Sequence, residues 1–426
     1  MREFSKMYSI KVLVIGDNAF ARSVVEKLNA DDNEQNLEII SISREEDFSL
    51  GSENITVNEY ELGKILDIAL ARRVSLSIVC DVELIAKGIV DLFNTEGLSI
   101  LAPNLEAAEI CLSRNKFKEF THRHMIPSSS YVSFENKDLC IAYLEHLTFP
   151  ITIKADHIFE TNYEKKEFIA KEINDAIAFI EDYFSQPFLS TFKKRLILEE
   201  YIVSEEFCTS LIYDSKTALS LIPIKLHREY NEYSNVFHEK SASSILDSGL
   251  DEIIFNINTL IIKPFLNALI EDGINFSGFF SFITKFSKEG DLVLDRCEIL
   301  APELCAELGL DLIEENLFDL FFSSVQAKLD FYRDGLRYVN LAGVALDLDY
   351  QHPNPESLNE DKFLQIERTA SNSNYRIKVQ ILSNETRDSV RLFIYAPSET
   401  EAKNFARTVA SELNLLSEEN DIFNYI

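Results

Sequence analysis

Glycine is scarce in this sequence, and one long central stretch has none. The chain of 426 residues contains 12 glycines, and none lies between Gly97 and Gly249. This is less than half of the roughly 7% that is typical of proteins. Glycine-rich loops hold phosphate groups because backbone N–H groups can approach the anion where no Cβ intervenes. The central stretch therefore excludes a phosphate loop of this kind.

Excess positive charge, long apolar runs and paired cysteines are also lacking. The net charge is −30, from 41 basic and 71 acidic residues. Such a charge repels phosphate backbones and anionic lipids, so we predict no nucleic-acid partner and no membrane partner. The six cysteines show no CxxC pattern, and residues 1–9 have no signal-peptide core. These patterns predict reduced thiols and a cytoplasmic protein.

Alternating strands and helices occupy the first hundred residues. Ile10–Ile15 and Leu76–Cys80 have the apolar composition of buried strands, and Leu62–Leu70 has helical spacing. This order predicts a Rossmann-like α/β domain with a parallel sheet over residues 9–101. Its first turn, Gly16-Asp17-Asn18, departs from GxGxxG and places a carboxylate where a phosphate would lie. We therefore expect no dinucleotide site there.

Two further domains follow from the coarser pattern, and the fold class is α/β and α+β. Short strands around the helical segment Asn174–Tyr183 predict a small lid at about residues 128–198, inside a domain of residues 102–335. From residue 336 to 426, strands near Arg376–Leu382 and a helix at Glu399–Leu413 predict a C-terminal α+β module. The segment Lys116–His124 is rich in basic residues, and we interpret it as a helix with a solvated basic face.

An apolar strand, Phe149–Ile153, leads directly into Lys154-Ala155-Asp156. A strand that delivers a lysine and then a glycine-rich loop is typical of sites that hold ATP phosphates. Here the lysine is present, but no glycine follows it in residues 157–166. The pattern predicts a nucleotide-binding scaffold with an altered phosphate loop.

Several short motifs stand in a characteristic order, namely Lys11–Gly16, Ala102–Asn104, Arg123–Pro127, Ile153–Asp156, Leu198–Tyr201 and Ser277–Phe280. In this order and spacing the chain resembles the glycinamide ribonucleotide synthetase (phosphoribosylamine–glycine ligase) family of the ATP-grasp superfamily. The resemblance implies an N-terminal domain, an ATP-grasp core with a lid, and a C-terminal module. It also implies a reaction in which ATP phosphorylates the carboxylate of glycine and phosphoribosylamine attacks the acyl phosphate, with magnesium bridging the ATP phosphates.

The resemblance also assigns roles to particular residues of this chain. Lys154 matches the lysine that reaches the ATP phosphates, and Arg114 stands where a second lysine is usual. The hinge residues Glu199, Glu200, Tyr201 and Ile202 match the strand that meets the adenine. Glu206 stands where a carboxylate accepts the ribose hydroxyls. Asp295 is the remaining candidate metal ligand, because Asp295-Arg296-Cys297 replaces the family's Glu-x-Asn.

Other parts of the family pattern are missing. Residues 157–166 and 234–243 lack the glycines of the phosphate loop and of the substrate loop, and Ile299 replaces an arginine. We therefore predict a homologue that keeps weak or residual ATP binding, lacks a secure magnesium site, and has impaired or absent ligase activity. Three alternatives stay open: an active ligase with relocated groups, a non-catalytic nucleotide-binding or scaffolding partner, and another purine-pathway ATP-grasp ligase.

Overall fold

The protein was analysed as a computed structural model that describes residues 9–31, 36–44, 51, 53–156, 167–186, 194–231, 236–244, 251–287, 290–349, 360–383 and 388–413. The described strands form three sheets of five, nine and four strands. The first sheet is parallel, as predicted, and its strands run in the order β3-β2-β1-β4-β5. They are β1 (Ile10–Ile15), β2 (Leu37–Ser43), β3 (Glu53–Thr56), β4 (Leu76–Val79) and β5 (Ile100–Leu101).

Helices cover this sheet and connect it to the rest of the chain. They are α1 (Ala19–Asp31), α2 (Leu62–Arg72), α3 (Val82–Ala86), α4 (Ile89–Thr95), α5 (Leu105–Leu112) and α6 (Arg114–Arg123). Gly88 adopts a left-handed conformation with φ +81° and separates α3 from α4. Asn104 caps α5, and its side chain accepts from the Ala107 N–H at 3.0 Å.

A small antiparallel sheet, which we call the lid sheet, has the strand order β6-β9-β7-β8. Its elements are β6 (Tyr131–Phe134), α7 (Lys137–Tyr143), β7 (Ile151–Ala155), β8 (Glu167–Ala170), α8 (Ile173–Ser185) and β9 (Leu196–Glu200). The expected strand 149–153 begins at Ile151, because Pro150 has no N–H to donate to a neighbouring strand. Lys154 thus lies within β7 and not after it.

The nine-stranded sheet is the largest element of the core. Its strands are β10 (Ser204–Tyr213), β11 (Ala218–Ser220), β12 (Ile224–Asn231), β13 (Val236–Ser244), β14 (Gly278–Ser287), β15 (Leu292–Glu298), β16 (Ala342–Asp349), β17 (Arg376–Ser383) and β18 (Asp388–Ala396). Strands β10 and β11 form one antiparallel pair, and β14 and β15 form another. The sheet runs from β13 directly to β16, so it crosses the proposed boundary at residue 335 without a break.

The remaining helices are α9 (Asp251–Asn256), α10 (Lys263–Glu271), α11 (Glu303–Asp311), α12 (Leu317–Val325), α13 (Glu360–Asn372) and α14 (Glu399–Glu412). A π-helical segment, Ile257–Ile262, joins α9 to α10. The joined helix, Asp251–Glu271, is long and apolar enough to span a membrane by length and composition alone. Its side chains Ile257, Ile261 and Phe265 pack into the core beside the first sheet.

Candidate functional site

The lid sheet meets the core sheet at a narrow, highly charged cavity. The cavity has a volume of about 20 Å³, which is little more than one water molecule occupies. Its charged lining comes from four elements: Arg114 and Lys118 on α6, Lys154 on β7, Glu199 on β9, and Asp295 and Arg296 on β15. The fold thus brings Arg114, Lys154, Glu199 and Asp295 together from positions far apart in the sequence.

Lys154 is the central cation of the cavity. Its ammonium group donates to Glu199 Oε2 at 3.2 Å and to Asp295 Oδ1 at 3.1 Å, and Glu167 lies 3.9 Å away. The side chain is only 3% exposed. Burial disfavours the charged ammonium, but Asp295, Glu199 and Glu167 outweigh burial and raise the pKa of Lys154. Lys154 is therefore a charged group that is already neutralised by the protein itself.

Asp295 is surrounded by cations. Its Oδ1 lies 3.1 Å from Lys154 Nζ and 3.0 Å from Lys285 Nζ, and its Oδ2 lies 2.9 Å from Arg296 Nη1. Burial raises the pKa of a carboxyl group, but these three cations hold the pKa of Asp295 well below its usual range. Both carboxylate oxygens are thus engaged by positive charge.

Lys118 corrects the interpretation of residues 116–124. The helix α6 forms as expected, and Lys116 is exposed, but Lys118 is only 1% exposed. Its Nζ lies 2.6 Å from Ser129 Oγ and 3.3 Å from Glu199 Oε2. Burial lowers the pKa of Lys118 despite the carboxylate of Glu199. The basic face of this helix is therefore partly turned into the cavity and not wholly solvated.

Asp156 fixes the start of α6 and with it the position of Arg114. Its Oδ1 accepts from Ser113 Oγ and from the Asn115 N–H, both at 2.8 Å. Asp156 O also accepts from the Arg114 N–H at 3.3 Å. The strand that carries Lys154 is thus tied to the helix that carries Arg114. The segment after Asp156, residues 157–166, lies outside the described residues, as do residues 234 and 235 of the second glycine-free stretch.

The hinge residues face in two directions. Glu199 points into the cavity, whereas Glu200 is exposed and accepts from the Ser130 N–H at 3.1 Å. Tyr201 is 38% exposed. Glu200, Tyr201 and Ile202 line an open groove of about 640 Å³, whose other wall includes Leu292. Successive strand residues alternate between faces, and only Glu199 contacts Lys154.

Glu206 is paired with a residue that the sequence did not single out. Arg228 donates to it twice, from Nε to Oε2 and from Nη2 to Oε1, each at 2.7 Å. The carboxylate predicted to accept ribose hydroxyls is therefore held by a two-pronged ion pair between β10 and β12. Glu167, on β8, faces the same charges: burial is outweighed by Lys154, Arg114 and Arg228, which lower its pKa to about 2.

The turn after β1 is likewise closed by an ion pair. Asp17 accepts from Arg44 Nε at 2.8 Å and from Arg44 Nη2 at 3.0 Å. Asn18 donates to the Cys80 carbonyl, which joins the ends of β1 and β4. Asp17 thus forms an ion pair with Arg44 at the turn where the sequence predicts no dinucleotide site.

Lys118, Glu167, Arg228 and Lys285 belong to the site but were missed from the sequence. Their signal was weak, because a lone charged residue on a helix or strand usually faces solvent. The alternation of side chains between the two faces of a strand gives a partial hint of the pair between Glu206 and Arg228. Glu206 on β10 pairs with Leu226 on β12, and Arg228 lies two residues beyond Leu226. The partners of these residues lie in other elements, so only the fold reveals them.

Family models match most of the chain. Residues 10–111 match the N domain of phosphoribosylglycinamide synthetase, and residues 113–297 match its ATP-grasp (A) domain. The phosphoribosylamine–glycine ligase of Escherichia coli O6:H1 is 24% identical over 282 residues, which cover 65% of each chain. The chain therefore spans about 65% of the length of that curated relative.

Solved structures show the same fold. Carboxyaminoimidazole ribonucleotide synthase from Aspergillus clavatus, complexed with ATP, superposes with a TM-score of 0.68 and 15% identity, covering 95% of this chain and 98% of that one. Phosphoribosylamine–glycine ligase from Thermotoga maritima superposes with a TM-score of 0.65 and 14% identity, covering 95% and 97%. At these identities the likeness establishes the architecture alone.

Proposed function

The chain belongs to the phosphoribosylglycinamide synthetase family, and we propose that it is a phosphoribosylamine–glycine ligase homologue with impaired or absent ligase activity. We propose further that it keeps weak binding of an adenine nucleotide. The observation that carries this proposal is the enclosure of Asp295, the one metal-ligand candidate from the sequence, by Lys154, Lys285 and Arg296.

Magnesium does not fit this group of residues. Mg²⁺ prefers hard oxygen ligands in an octahedron, whereas Asp295 already contacts three cations and the adjacent candidate ligand is the thiol of Cys297. Among the described residues, no group of three or more histidine, cysteine or acidic side chains is placed to hold a metal ion. A cation brought to Asp295 would meet Lys154, Lys285 and Arg296 within a few ångströms and be repelled.

The same ion pairs limit the binding energy that a nucleotide can gain from this cavity. ATP phosphates would have to separate Lys154 from Glu199 and Asp295, and the cavity of about 20 Å³ would have to widen. A phosphate entering this cavity exchanges one anionic partner of Lys154 for another, so little net energy is gained. Binding should therefore depend on the hinge, Glu199 to Ile202, more than on the γ-phosphate, with Arg114 as a further cation near the site.

Ligation requires positive charge that is available to stabilise the transition state. Transfer of a phosphoryl group to the glycine carboxylate brings two anions into contact, and fixed cations and N–H donors must stabilise the developing charge. Here Lys154 and Arg296 are compensated by carboxylates before any substrate binds. Each lost contact of this type typically lowers the rate by ~10²-fold or more. The loss of several such contacts would lower turnover below the limit of detection.

Titration calorimetry with ADP and ATP, each with and without Mg²⁺, tests the proposal. We expect the two nucleotides to bind with dissociation constants that differ by less than about tenfold, or about 1.4 kcal/mol, and to be nearly insensitive to Mg²⁺. Binding of ATP in Mg²⁺ more than about tenfold tighter than binding of ADP would contradict the proposal.

An active ligase is the second candidate function, and the cluster of cations Arg114, Lys118, Lys154 and Lys285 favours it. This candidate requires the ion pairs to open when phosphoribosylamine, glycine and nucleotide bind. Glycine-dependent release of ADP by the wild-type chain, abolished in Lys154→Ala, would establish ligase activity. It would also overturn the proposal that this activity is impaired or absent. An intact synthetase assayed beside it is the positive control.

A further inference from the structure

Two cysteines from distant parts of the sequence meet inside the charged cavity. The sulfur atoms of Cys111 and Cys297 lie 3.1 Å apart, although the residues are 186 positions apart in the chain. Cys111 lies in the last turn of α5, and Cys297 lies on β15, two residues after Asp295. Both are free thiols. A disulfide needs the sulfurs at about 2.05 Å, so an approach of roughly 1 Å would join them.

Cys111 and Cys297 differ in position from Cys208 and Cys305, a second pair of cysteines in contact. Cys111 and Cys297 both line the cavity beside Arg114 and Lys154. Cys305 hydrogen-bonds Cys208, but neither of these residues lines that cavity. The cavity of about 20 Å³ has room for a molecule of about the size of water. An oxidant near that size, such as hydrogen peroxide, therefore fits best beside the first pair, whereas a bulky disulfide reagent does not fit.

We propose that Cys111 and Cys297 are a site of oxidation, at which hydrogen peroxide converts the two thiols into a disulfide. One thiol, as its thiolate, attacks a peroxide oxygen; an S–O bond forms, the O–O bond breaks and hydroxide leaves, taking up a proton to become water. The second thiolate attacks the resulting sulfenic acid, the S–S bond forms and the S–O bond breaks, releasing a second water. The two sulfurs lose two electrons in total, and hydrogen peroxide gains them.

The disulfide would connect two sides of the candidate site. Cys111 lies three residues before Arg114, and Cys297 lies two residues after Asp295. The bond would therefore link the end of α5 to β15 and close a loop of 186 residue positions, which restricts the unfolded chain. We expect the linked protein to unfold at a higher temperature. The reaction needs neither nucleotide nor ligase activity, so it is independent of the proposed function.

The test uses the full-length reduced chain, exposed to hydrogen peroxide or to oxidised glutathione, then denatured in an alkylating reagent. Digestion after glutamate separates Cys297 from Cys305, because Glu298 and Glu303 lie between them. With peroxide we expect one linked pair of peptides, containing Cys111 and Cys297, with a mass about 2 Da below the sum of the two thiol peptides. Oxidised glutathione should form the link at least about tenfold more slowly, because it is too large for the cavity.

Cys208 and Cys305 are the internal control, and we expect both to be alkylated in the same sample. Cys297→Ser should abolish the linked peptides and the rise in unfolding temperature while leaving alkylation of Cys208 unchanged. The proposal is overturned if peroxide leaves Cys111 and Cys297 as free thiols, or converts them to sulfinic acids without a link. It is also overturned if Cys208 and Cys305 become linked at the same rate, or if the linked protein unfolds at an unchanged temperature. The wild-type peptide map decides the question even if the variant fails to fold.

Discussion

Lys154 and Asp295 form a buried ion pair, with 3.1 Å between Nζ and Oδ1. The two residues belong to different sheets, because Lys154 lies on β7 of the lid and Asp295 lies on β15 of the core. The pair therefore joins the lid to the core. A lysine that the resemblance assigns to ATP phosphates is thus also a structural link in this chain, and the two roles compete for one ammonium group.

We expect Lys154→Met to lower the free energy of unfolding by about 3–5 kcal/mol, because it leaves Glu199 and Asp295 buried without their shared partner. Urea unfolding followed by circular dichroism measures the change. Lys64→Met is the matched control, since the Lys64–Glu61 pair is exposed, and we expect it to cost less than about 1 kcal/mol. Similar small losses in both variants would show that the pair does not hold the lid to the core.

Much of this arrangement follows from the sequence, but the pairing of charges does not. The fold class and the strand Ile10–Ile15 are confirmed, because apolar runs carry local signals. The short edge strand β3, Glu53–Thr56, was missed because none of its residues is fully buried. Lys118 was misread because its burial depends on Glu199, which lies on another element.

The geometry of the site shows the same division. The resemblance assigns Lys154 and Glu199 to one ATP site, and the structure places Lys154 Nζ 3.2 Å from Glu199 Oε2. It cannot indicate that Asp295 is enclosed by three cations, because Lys285 reaches it only through the pairing of β14 with β15. Local patterns specify strands and helices, whereas the charges of a buried cluster depend on the register between strands.

Glu206 offers a test of two competing roles. A ribose-binding role predicts that Glu206→Gln weakens ADP binding, whereas the two hydrogen bonds from Arg228 predict a structural role. We expect ADP affinity to change by less than about threefold, or about 0.7 kcal/mol, and the free energy of unfolding to fall by about 1–3 kcal/mol. Calorimetry and urea unfolding of the same preparation measure both quantities. A tenfold loss of ADP affinity at unchanged stability would restore the ribose role.

The low pKa of Glu167 predicts a pH-dependent contribution to stability. Its pKa is about 2 in the folded protein and about 4.3 in an unfolded chain. A lowered folded pKa means that the contribution is present above about pH 4.3 and is lost as the pH falls toward about 2. We expect Glu167→Gln to lower the unfolding temperature at pH 7 and the difference from wild type to shrink as the pH is lowered toward 3. A constant difference across this range would contradict the assignment.

Gly278 is required where β14 passes the junction between the N-terminal domain and the core. A Cβ at this position would lie 2.8 Å from the Pro103 backbone nitrogen and 2.9 Å from the Ala102 carbonyl carbon, and backbone atoms cannot move aside as a flexible side chain can. We therefore expect Gly278→Ala to lower the free energy of unfolding by about 1–3 kcal/mol. Gly63→Ala is the control, because Gly63 lies in α2 and a Cβ there meets nothing within 4 Å; a helical alanine should leave stability unchanged or raise it by up to about 1 kcal/mol. Urea unfolding of both variants checks the prediction. Equal changes in the free energy of unfolding would mean that the close approach of β14 to Ala102–Pro103 does not constrain the fold.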